Sequence, residues 1–177
     1  NEWKARWIGY DKSFPWEKET MHSQLSARYL RKKFSIDSIQ NVVKAKIFIS
    51  GLGLYKLLFN EEDLTQNILV PAPTDYNKNI LYNVYDVTEK IKKNNIIAII
   101  LGNGRYYTMR QNYKPYKIKN FGYPKLLFQL EITYSNGNKQ YIVSDTDWKL
   151  FADGPIRSNN EYDGEIYDAR KEIANWY

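Results

Sequence analysis

The stretch that decides the fold reads K-L-L-F-Q-L-E-I-T-Y-S-N-G-N-K-Q-Y-I-V-S, residues 125–144. Apolar residues recur in both halves, and S-N-G-N at 135–138 separates them. An Asn-Gly pair between two such runs suits a type I′ turn, which connects antiparallel strands. The stretch therefore predicts a β-hairpin, with strands over 125–134 and 139–144.

Further strands are predicted upstream and downstream of this hairpin. Residues 44–58 divide at S-G-L-G into two strands, because Gly51 and Gly53 mark a tight bend or bulge. No window of ordinary helix length holds a 3.6-residue apolar pattern, although 88–93 suits one helical turn with Thr88 as a cap. The remaining predicted strands are 27–35, 80–87, 95–101 and 148–151. Many short strands joined by Gly, Pro and Asn turns predict an all-β, antiparallel β-sandwich in a single domain.

The composition limits the chemistry that the chain can perform. Its 177 residues are 43% hydrophobic and 26% charged, which suits a globular domain with a full core. The longest apolar run, 96–101, suits one buried strand and not a membrane span. The absence of cysteine excludes disulfides, and the single histidine, His22, excludes a His-rich metal site and argues against a Ser-His-Asp triad. A net charge of +6 permits an acidic partner without requiring one.

Four carboxylates crowd the stretch S-N-N-E-Y-D-G-E-I-Y-D-A-R at 158–170. If 163–167 is extended, Asp163 and Glu165 share one face and lie roughly 7 Å apart, within the carboxylate spacing of inverting glycosidases. Glycosidase carboxylates flank the substrate from opposite sides, however, whereas neighbours on one strand reach the same side. A catalytic role is therefore not expected for this pair.

A structural clamp is the favoured interpretation of the same carboxylates. Charge-assisted pairs are strong and common near tight chain turns, and Arg157 and Arg170 lie close in the sequence. The predicted clamp residues are Asp163, Glu165, Asp168 and Arg170. Calcium bound by this cluster, or by Asp145 and Asp147, stays open as an alternative, because hard oxygen ligands suit that ion.

A long segment between two apolar strands, 105–123, alternates tyrosines with basic residues. Loops of this length are usually functional or disordered. Tyrosine faces stack on sugar rings, so the residues predicted to bind carbohydrate are Arg105, Tyr106, Tyr107, Tyr113 and Tyr116. The favoured interpretation of the segment as a whole, however, is a lid that packs on its own sandwich or on a neighbouring domain.

The same segment raises an alternative function, a stand-alone protein- or nucleic-acid-binding sandwich. Basic residues interleaved with aromatic ones resemble a platform for single strands. The positive charge is modest, however, and it is spread over Lys32-Lys33, 90–93 and this segment, with no known DNA- or RNA-binding motif. Nucleic acid is therefore not an expected partner.

Five motifs occur in order between about Trp7 and Trp176, and each alone is weak. They are I-S-G-L-G-L-Y at 49–55, P-T-D-Y at 73–76, Y-D-V-T at 85–88, L-G-N-G-R-Y-Y at 101–107 and D-G-E-I-Y-D-A-R at 163–170. Together they resemble the N-terminal β-sandwich domain of bacterial α-L-rhamnosidases, which are glycoside hydrolases.

The resemblance implies a jelly-roll accessory module within a multidomain enzyme that hydrolyses terminal α-L-rhamnosyl linkages. The catalytic acid and base of that family lie in a separate helical (α/α)-barrel, so no catalytic residue is expected here. The expected partners are other domains of the same polypeptide and rhamnose-containing carbohydrate, with no membrane. The expected division is an N-terminal arm at 1–26, the sandwich at 27–168 and a connection to a following domain at 169–177.

The chain departs from the family pattern at three places. Arg105 stands where a tryptophan usually follows L-G-N-G, and Asn60-Glu61 stands where the family usually has Asn-Gly. Some related modules bind rhamnose through calcium near the bend after the second strand. Here that bend is 51–53, Gly-Leu-Gly, which offers no side-chain oxygen, so no cofactor is expected at this position.

Overall fold

The computed structural model describes residues 2–17, 25–36, 38–108 and 121–177. In chain order its strands are β1 (Ile8–Gly9), β2 (Arg28–Ser35), β3 (Val42–Leu52), β4 (Leu54–Phe59), β5 (Glu62–Asp63), β6 (Asn83–Asp86), β7 (Asn94–Gly102), β8 (Lys125–Tyr134), β9 (Lys139–Val143), β10 (Lys149–Phe151), β11 (Ile156–Asn160) and β12 (Gly164–Tyr167). Single turns of 3-10 helix cover Ile39–Asn41, Thr88–Lys90 and Ala169–Lys171.

Within these residues the strands form two antiparallel, five-stranded sheets and one separate hairpin. In the first sheet the order is β1-β8-β3-β6, and β9 also pairs with β8. In the second sheet the order is β10-β2-β7-β4-β5, while β11 and β12 pair with each other. The predicted all-β, antiparallel sandwich is confirmed. The jelly-roll strand order stays a prediction.

The hydrophobic core lies between the two sheets. Along β3 the side chains alternate, so that Ala45, Ile47 and Ile49 are fully buried while Lys44 and Lys46 lie on the outer face. Burial of each large aliphatic side chain stabilises the fold by roughly 1.5–3 kcal/mol. Most other fully buried core residues come from β4, β7 and β8: Leu57, Phe59, Ile97, Ile99, Leu101, Leu126, Phe128, Leu130 and Ile132.

The bend predicted within residues 44–58 separates β3 from β4 at Gly53. The φ angle of Gly53 is +122°, and a Cβ atom there would lie 2.1 Å from the carbonyl oxygen of Gly102. Only glycine fits both this backbone and this approach. The predicted helical turn is also present, but the Thr88 side chain makes no cap hydrogen bond. Its hydroxyl accepts from the backbone N–H of Ala45 at 2.9 Å instead.

The hairpin of β8 and β9 is confirmed, but its predicted turn type is wrong. Gly137 has a φ of +83°, whereas Ser135 and Asn136 have negative φ, and a type I′ turn needs positive φ at both central residues. The N–H of Gly137 donates to the carbonyl of Tyr134 at 2.9 Å, and the N–H of Tyr134 donates to the carbonyl of Asn138 at 2.9 Å. These contacts describe a type I turn followed by a glycine bulge.

Both ends of the described chain pack on the sandwich. β1 pairs with β8 of the first sheet, and the ring of Trp176 lies 5.1 Å from that of Tyr29 in the second. Arg31 donates from Nη1 to the carbonyl of Trp176 at 3.1 Å. The division into an arm at 1–26, a sandwich at 27–168 and a connection at 169–177 stays a prediction. Among the described residues, no helix is long and apolar enough to cross a membrane.

Candidate functional site

The predicted carbohydrate-binding residues follow β7 through the turn G-N-G. The N–H groups of Tyr106 and Tyr107 both donate to the carbonyl of Asn103, at 3.1 and 3.2 Å. Asn103 is buried, its Nδ2 donates to the carbonyl of Leu25 at 2.9 Å, and its N–H donates to Oδ1 of Asn159 at 2.6 Å. The L-G-N-G motif therefore anchors this turn to the N-terminal arm and to β11.

Tyr106 belongs to a cluster of three half-buried aromatic rings, which we call the Tyr76 cluster. The ring centroids of Tyr76 lie 5.1 Å from Tyr106 and 5.2 Å from Phe121, in edge-on contacts. Tyr106 and Phe121 stack at 5.9 Å. Burial raises the pKa of both tyrosines, so they stay neutral hydrogen-bonding groups at physiological pH. The cluster brings the P-T-D-Y motif against the start and the end of the segment 105–123.

The other predicted carbohydrate residues differ in what surrounds them. Tyr107 is only 4% exposed and its ring lies 5.3 Å from that of Tyr123, so neither face is open to a sugar. Burial corrects the prediction for Tyr107, which is a packing residue. Tyr113 and Tyr116 lie outside the described residues.

Arg105 forms a two-point ion pair with Glu161, one of the four carboxylates in 158–170. Its Nε donates to Oε2 of Glu161 at 2.6 Å, and its Nη2 donates to Oε1. These hydrogen bonds raise the pKa of Arg105. The pair joins the turn after β7 to the turn between β11 and β12, and it places a fixed charge pair beside Tyr76, whose pKa both groups affect.

The predicted clamp is only partly assembled. Asp168 accepts from Nε and Nη2 of Arg170, each at 2.8 Å, and from its backbone N–H at 3.1 Å. These contacts lower the pKa of Asp168 to about 2. Asp163 instead accepts from Nδ2 of Asn160 at 3.0 Å, at the opposite end of β12. One four-residue clamp is therefore not formed, because the strand Gly164–Tyr167 separates its two halves and Glu165 is exposed.

The same geometry removes the argument for a carboxylate pair on one strand. Asp163 lies in the turn before β12, so alternation along the strand does not align it with Glu165. Arg157, the other proposed partner, donates instead to Asp153 at 2.7 Å. The prediction that Asp163 and Glu165 share one face of a strand is therefore wrong.

The oxygen ligands that could bind calcium are already engaged by protein groups at Asp145. Asp145, the alternative calcium candidate, accepts from Nζ of Lys32 at 2.8 and 2.9 Å and from the N–H of Asp147 at 3.0 Å. In the described ranges, no group of three or more His, Cys, Asp or Glu residues is arranged to hold a metal ion. Calcium binding stays a prediction, and the titration with and without calcium described below tests it.

Sequence reasoning did not find the partners that complete the candidate site. Tyr76 contacts Tyr106 from a separate loop, and Phe121 contacts it from the other end of the segment 105–123. Glu161 reaches Arg105 across 56 positions of sequence. The motifs P-T-D-Y and L-G-N-G-R-Y-Y marked these loops, but spacing alone does not show which side chains meet.

Comparison with known proteins identifies the family. A family model described as the α-L-rhamnosidase N-terminal domain matches residues 40–177. An α-L-rhamnosidase of Formosa agariphila is 34% identical, covering 99% of this chain and 19% of that protein. An α-L-rhamnosidase of an Alteromonas species is 33% identical, with the same two coverages. The chain thus spans about a fifth of the length of these relatives.

Solved structures agree with this match. The α-L-rhamnosidase of Dictyoglumus thermophilum is 39% identical and superposes with a TM-score of 0.80, over 98% of this chain and 19% of that one. That of Streptomyces avermitilis, solved in complex with L-rhamnose, is 34% identical with a TM-score of 0.77, over 87% of this chain and 15% of that one. The chain therefore belongs to the family of α-L-rhamnosidase N-terminal domains.

Proposed function

We propose that this chain is a non-catalytic module of a longer α-L-rhamnosidase, in which it supports domain assembly and captures carbohydrate. The observation that carries the first part is that carboxylates of the module are held by its own basic side chains: Asp153 by Arg157 and Lys171, Asp168 by Arg170, and Glu161 by Arg105. The direction of the carboxyl pKa values agrees with this. A general acid needs a raised pKa, whereas the pKa is lowered at every described carboxyl group that has a resolved shift: Glu17, Asp86, Asp153 and Asp168.

The causes of these lowered pKa values are structural. Asp86 accepts from the hydroxyl and the N–H of Thr88, and Asp153 accepts from Lys171 and Arg157. Such contacts stabilise the charged carboxylate and use the oxygens that a substrate would need. The carboxylates of Glu62, Asp63 and Asp86, which line a cleft of about 360 Å³, are engaged in the same way. Glu62 pairs with Lys90, and Asp63 pairs with Lys56.

Support for domain assembly comes from an apolar protrusion, the Ile68–Leu69 knob. Ile68 is 90% exposed and Leu69 is 64% exposed, although the following residue, Val70, is buried and accepts from the N–H of Tyr55 at 2.8 Å. Leu69 also has a φ of +61°, which is unfavourable for a branched side chain. Because the relatives are about five times longer than this chain, the partner that suits the knob is another domain of the same polypeptide.

Support for carbohydrate capture comes from the Tyr76 cluster and Arg105. A half-buried tyrosine offers an apolar ring that can pack on a sugar ring and a hydroxyl that can hydrogen-bond to the sugar's hydroxyl groups. The similar protein of Streptomyces avermitilis was solved with L-rhamnose, which suggests the class of sugar to test. Tyr106 and Tyr76 would contact the ring, and the Arg105–Glu161 pair would bind its hydroxyl groups.

The non-catalytic role is tested by substitution within the longer rhamnosidase that carries this module. The double variant Asp163→Asn/Glu165→Gln should keep kcat on an aryl α-L-rhamnoside within about 3-fold of the parent. A carboxylate that acts as general acid or base contributes about 100- to 10,000-fold, so a loss of that size would refute the proposal. Unchanged thermal unfolding of the variant controls for misfolding.

The capture role is tested by titration with L-rhamnose, with and without calcium. Binding should weaken in Tyr106→Ala, and in Tyr113→Ala or Tyr116→Ala if the rest of the segment contributes. Phe151→Ala, a change of an exposed aromatic residue elsewhere, is the matched control. Absence of any saturable binding at millimolar sugar would leave domain assembly as the remaining function.

A further inference from the structure

The outer face of the first sheet carries a cleft of about 560 Å³ that differs in composition from the Tyr76 cluster. We call it the sheet groove. Ligand sites in proteins commonly have volumes of this order. Strands β3, β6, β8 and β9 contribute its lining: Lys44, Lys46, Phe48, Val84, Glu131, Thr133 and Lys139.

One side of the groove is aromatic. The ring of Trp3 lies 5.6 Å from that of Tyr82 and 6.4 Å from that of Phe48, both edge-on. Trp3 is 37% exposed and Tyr82 is 52% exposed, so each keeps an accessible ring. Exposed rings beside a cleft of this size provide a stacking surface for a pyranose.

Trp3 is held in place by hydrogen bonds on either side of it. The N–H of Lys4 donates to Oε1 of Gln129 at 2.7 Å, and Nε2 of Gln129 donates to the carbonyl of Glu2 at 3.4 Å. Gln129 is only 2% exposed, so a buried amide of β8 positions the N-terminal arm across the sheet. A positioned aromatic ring loses less entropy on binding than a mobile one.

The floor of the groove carries more cations than anions, with Lys44, Lys46 and Lys139 against Glu131. Asp86, on the neighbouring strand β6, is near enough to Lys44 and Lys46 for their charges to help lower its pKa. Lys139 pairs with Glu131 at 2.6 Å. Lys44 and Lys46, on the neighbouring strand, form no ion pair with any residue in the part of the chain that the structure describes. In the sheet register Lys46 lies opposite Glu131, and Lys44 lies opposite Thr133. Ammonium groups on β3 therefore face a carboxylate and a hydroxyl on β8.

We propose that the sheet groove binds an acidic oligosaccharide, in which uronate carboxylates contact Lys44 and Lys46 and a sugar ring stacks on Trp3 and Tyr82. Glu131 and Thr133 bind sugar hydroxyl groups. Nucleic acid fits less well, because Glu131 and Asp86 beside these lysines can accept hydrogen bonds from sugar hydroxyl groups, whereas a phosphodiester has no hydroxyl group to donate. The proposal concerns a face other than the segment 105–123 and does not depend on rhamnoside hydrolysis.

Calorimetric titration with tetragalacturonate tests the proposal, with its methyl-esterified form as the neutral control. Saturable binding is expected for the acid, and binding at least about 10-fold weaker is expected for the ester, because the charge-assisted contacts are lost. Lys44→Gln/Lys46→Gln should also weaken binding of the acid by at least about 10-fold. Lys92→Gln/Lys93→Gln, which removes two exposed lysines outside the groove, should leave it unchanged.

The Tyr82→Ala variant tests the contribution of ring stacking to binding, because it leaves the charges of the groove unchanged. It should weaken binding of the acid about 10-fold while the variant keeps the parent's unfolding midpoint. The proposal is overturned if tetragalacturonate does not bind at 10 mM, if the ester binds as well as the acid, or if both lysine pairs matter equally. Tighter binding of a dT12 oligonucleotide than of tetragalacturonate would also overturn it. None of these results bears on the rhamnosidase proposal, which has its own kinetic test.

Discussion

Glu17 and Arg28 form an ion pair whose side chains are each only 1% exposed. Glu17 accepts from the N–H of Phe14 at 2.7 Å, from the N–H and hydroxyl of Ser26 at 2.8 and 2.7 Å, and from Arg28. Arg28 also lies 5.3 Å from the centroid of the Phe14 ring. The pair thus fastens the N-terminal arm to the first residue of β2, and the bonds from three donor residues compensate the buried carboxylate.

Glu17→Gln is expected to destabilise the fold by about 3 kcal/mol, because it leaves the buried guanidinium of Arg28 without a counter-charge. Urea unfolding at pH 7 measures this difference. Asp168→Asn, which removes an ion pair whose arginine is 89% exposed, is the matched control and should have little effect. Equal stabilities of the Glu17 variant and the parent would contradict the role of the pair.

The same pair predicts a pH dependence. Burial acts to raise the pKa of Glu17, but the hydrogen bonds from Arg28, Phe14 and Ser26 outweigh it, and the pKa falls below its ordinary value of 4.5. A carboxyl group with a lowered folded pKa stabilises the fold above its unfolded pKa and loses this effect as the pH falls through the folded value. The stability difference between parent and Glu17→Gln should therefore shrink below about pH 4.5. A difference that stays constant down to pH 3 would contradict this cause.

At the scale of elements, apolar alternation, one continuous apolar run and the turn residues Gly and Asn were sufficient to predict β2, β3, β4, β6, β7, β8, β9 and β10. β1 and β5 were missed because two residues carry no periodic pattern. β11 was missed because its sequence, I-R-S-N-N, is polar, and it is a strand through pairing with β12. The turn between β8 and β9 was assigned the wrong type, since Asn-Gly also suits a type I turn with a bulge when glycine takes the last position.

Two of the positive-φ glycines, Gly53 between β3 and β4 and Gly137 in the turn between β8 and β9, are expected to respond differently to alanine. Gly53→Ala combines an unfavourable backbone with a 2.1 Å approach to the carbonyl of Gly102, so a loss of more than about 3 kcal/mol is expected. Gly137→Ala has the strain alone, with no atom within 4 Å of the new Cβ, so about 1 kcal/mol is expected. Thermal unfolding of both variants measures the contrast. Similar losses of stability in the two variants would contradict a cost from the close approach between residue 53 and the carbonyl of Gly102.

For the whole molecule, sequence reasoning identified the sandwich and the family but not the contacts that close the candidate site. The residues of the Tyr76 cluster, the Arg105–Glu161 pair and the Glu17–Arg28 pair come from different loops and strands. Which loops meet depends on the order of strands in the two sheets, and hydrophobic periodicity carries no information about that order. The clamp was predicted from neighbours in sequence, and for that reason only the local Asp168–Arg170 pair was found.

The Ile68–Leu69 knob gives a prediction that compares the module with the longer protein. Ile68→Ser/Leu69→Ser should leave the isolated chain within about 0.5 kcal/mol of the parent, because these side chains are exposed in it. In the longer rhamnosidase the same change should lower the unfolding temperature of the contacting domain by several degrees. Val43→Ser, at a residue that is 56% exposed elsewhere, is the control. An equal effect of both changes in the longer protein would contradict a docking role.

The central proposal is that this sandwich does not hydrolyse rhamnosides by itself. The most direct measurement is the release of nitrophenol from p-nitrophenyl α-L-rhamnoside by the purified chain 1–177, with its folding verified by a cooperative unfolding transition. The predicted result is no release above the uncatalysed background at any chain concentration. Release that rises in proportion to chain concentration, and that falls in Asp163→Asn or Glu165→Gln, would contradict the claim.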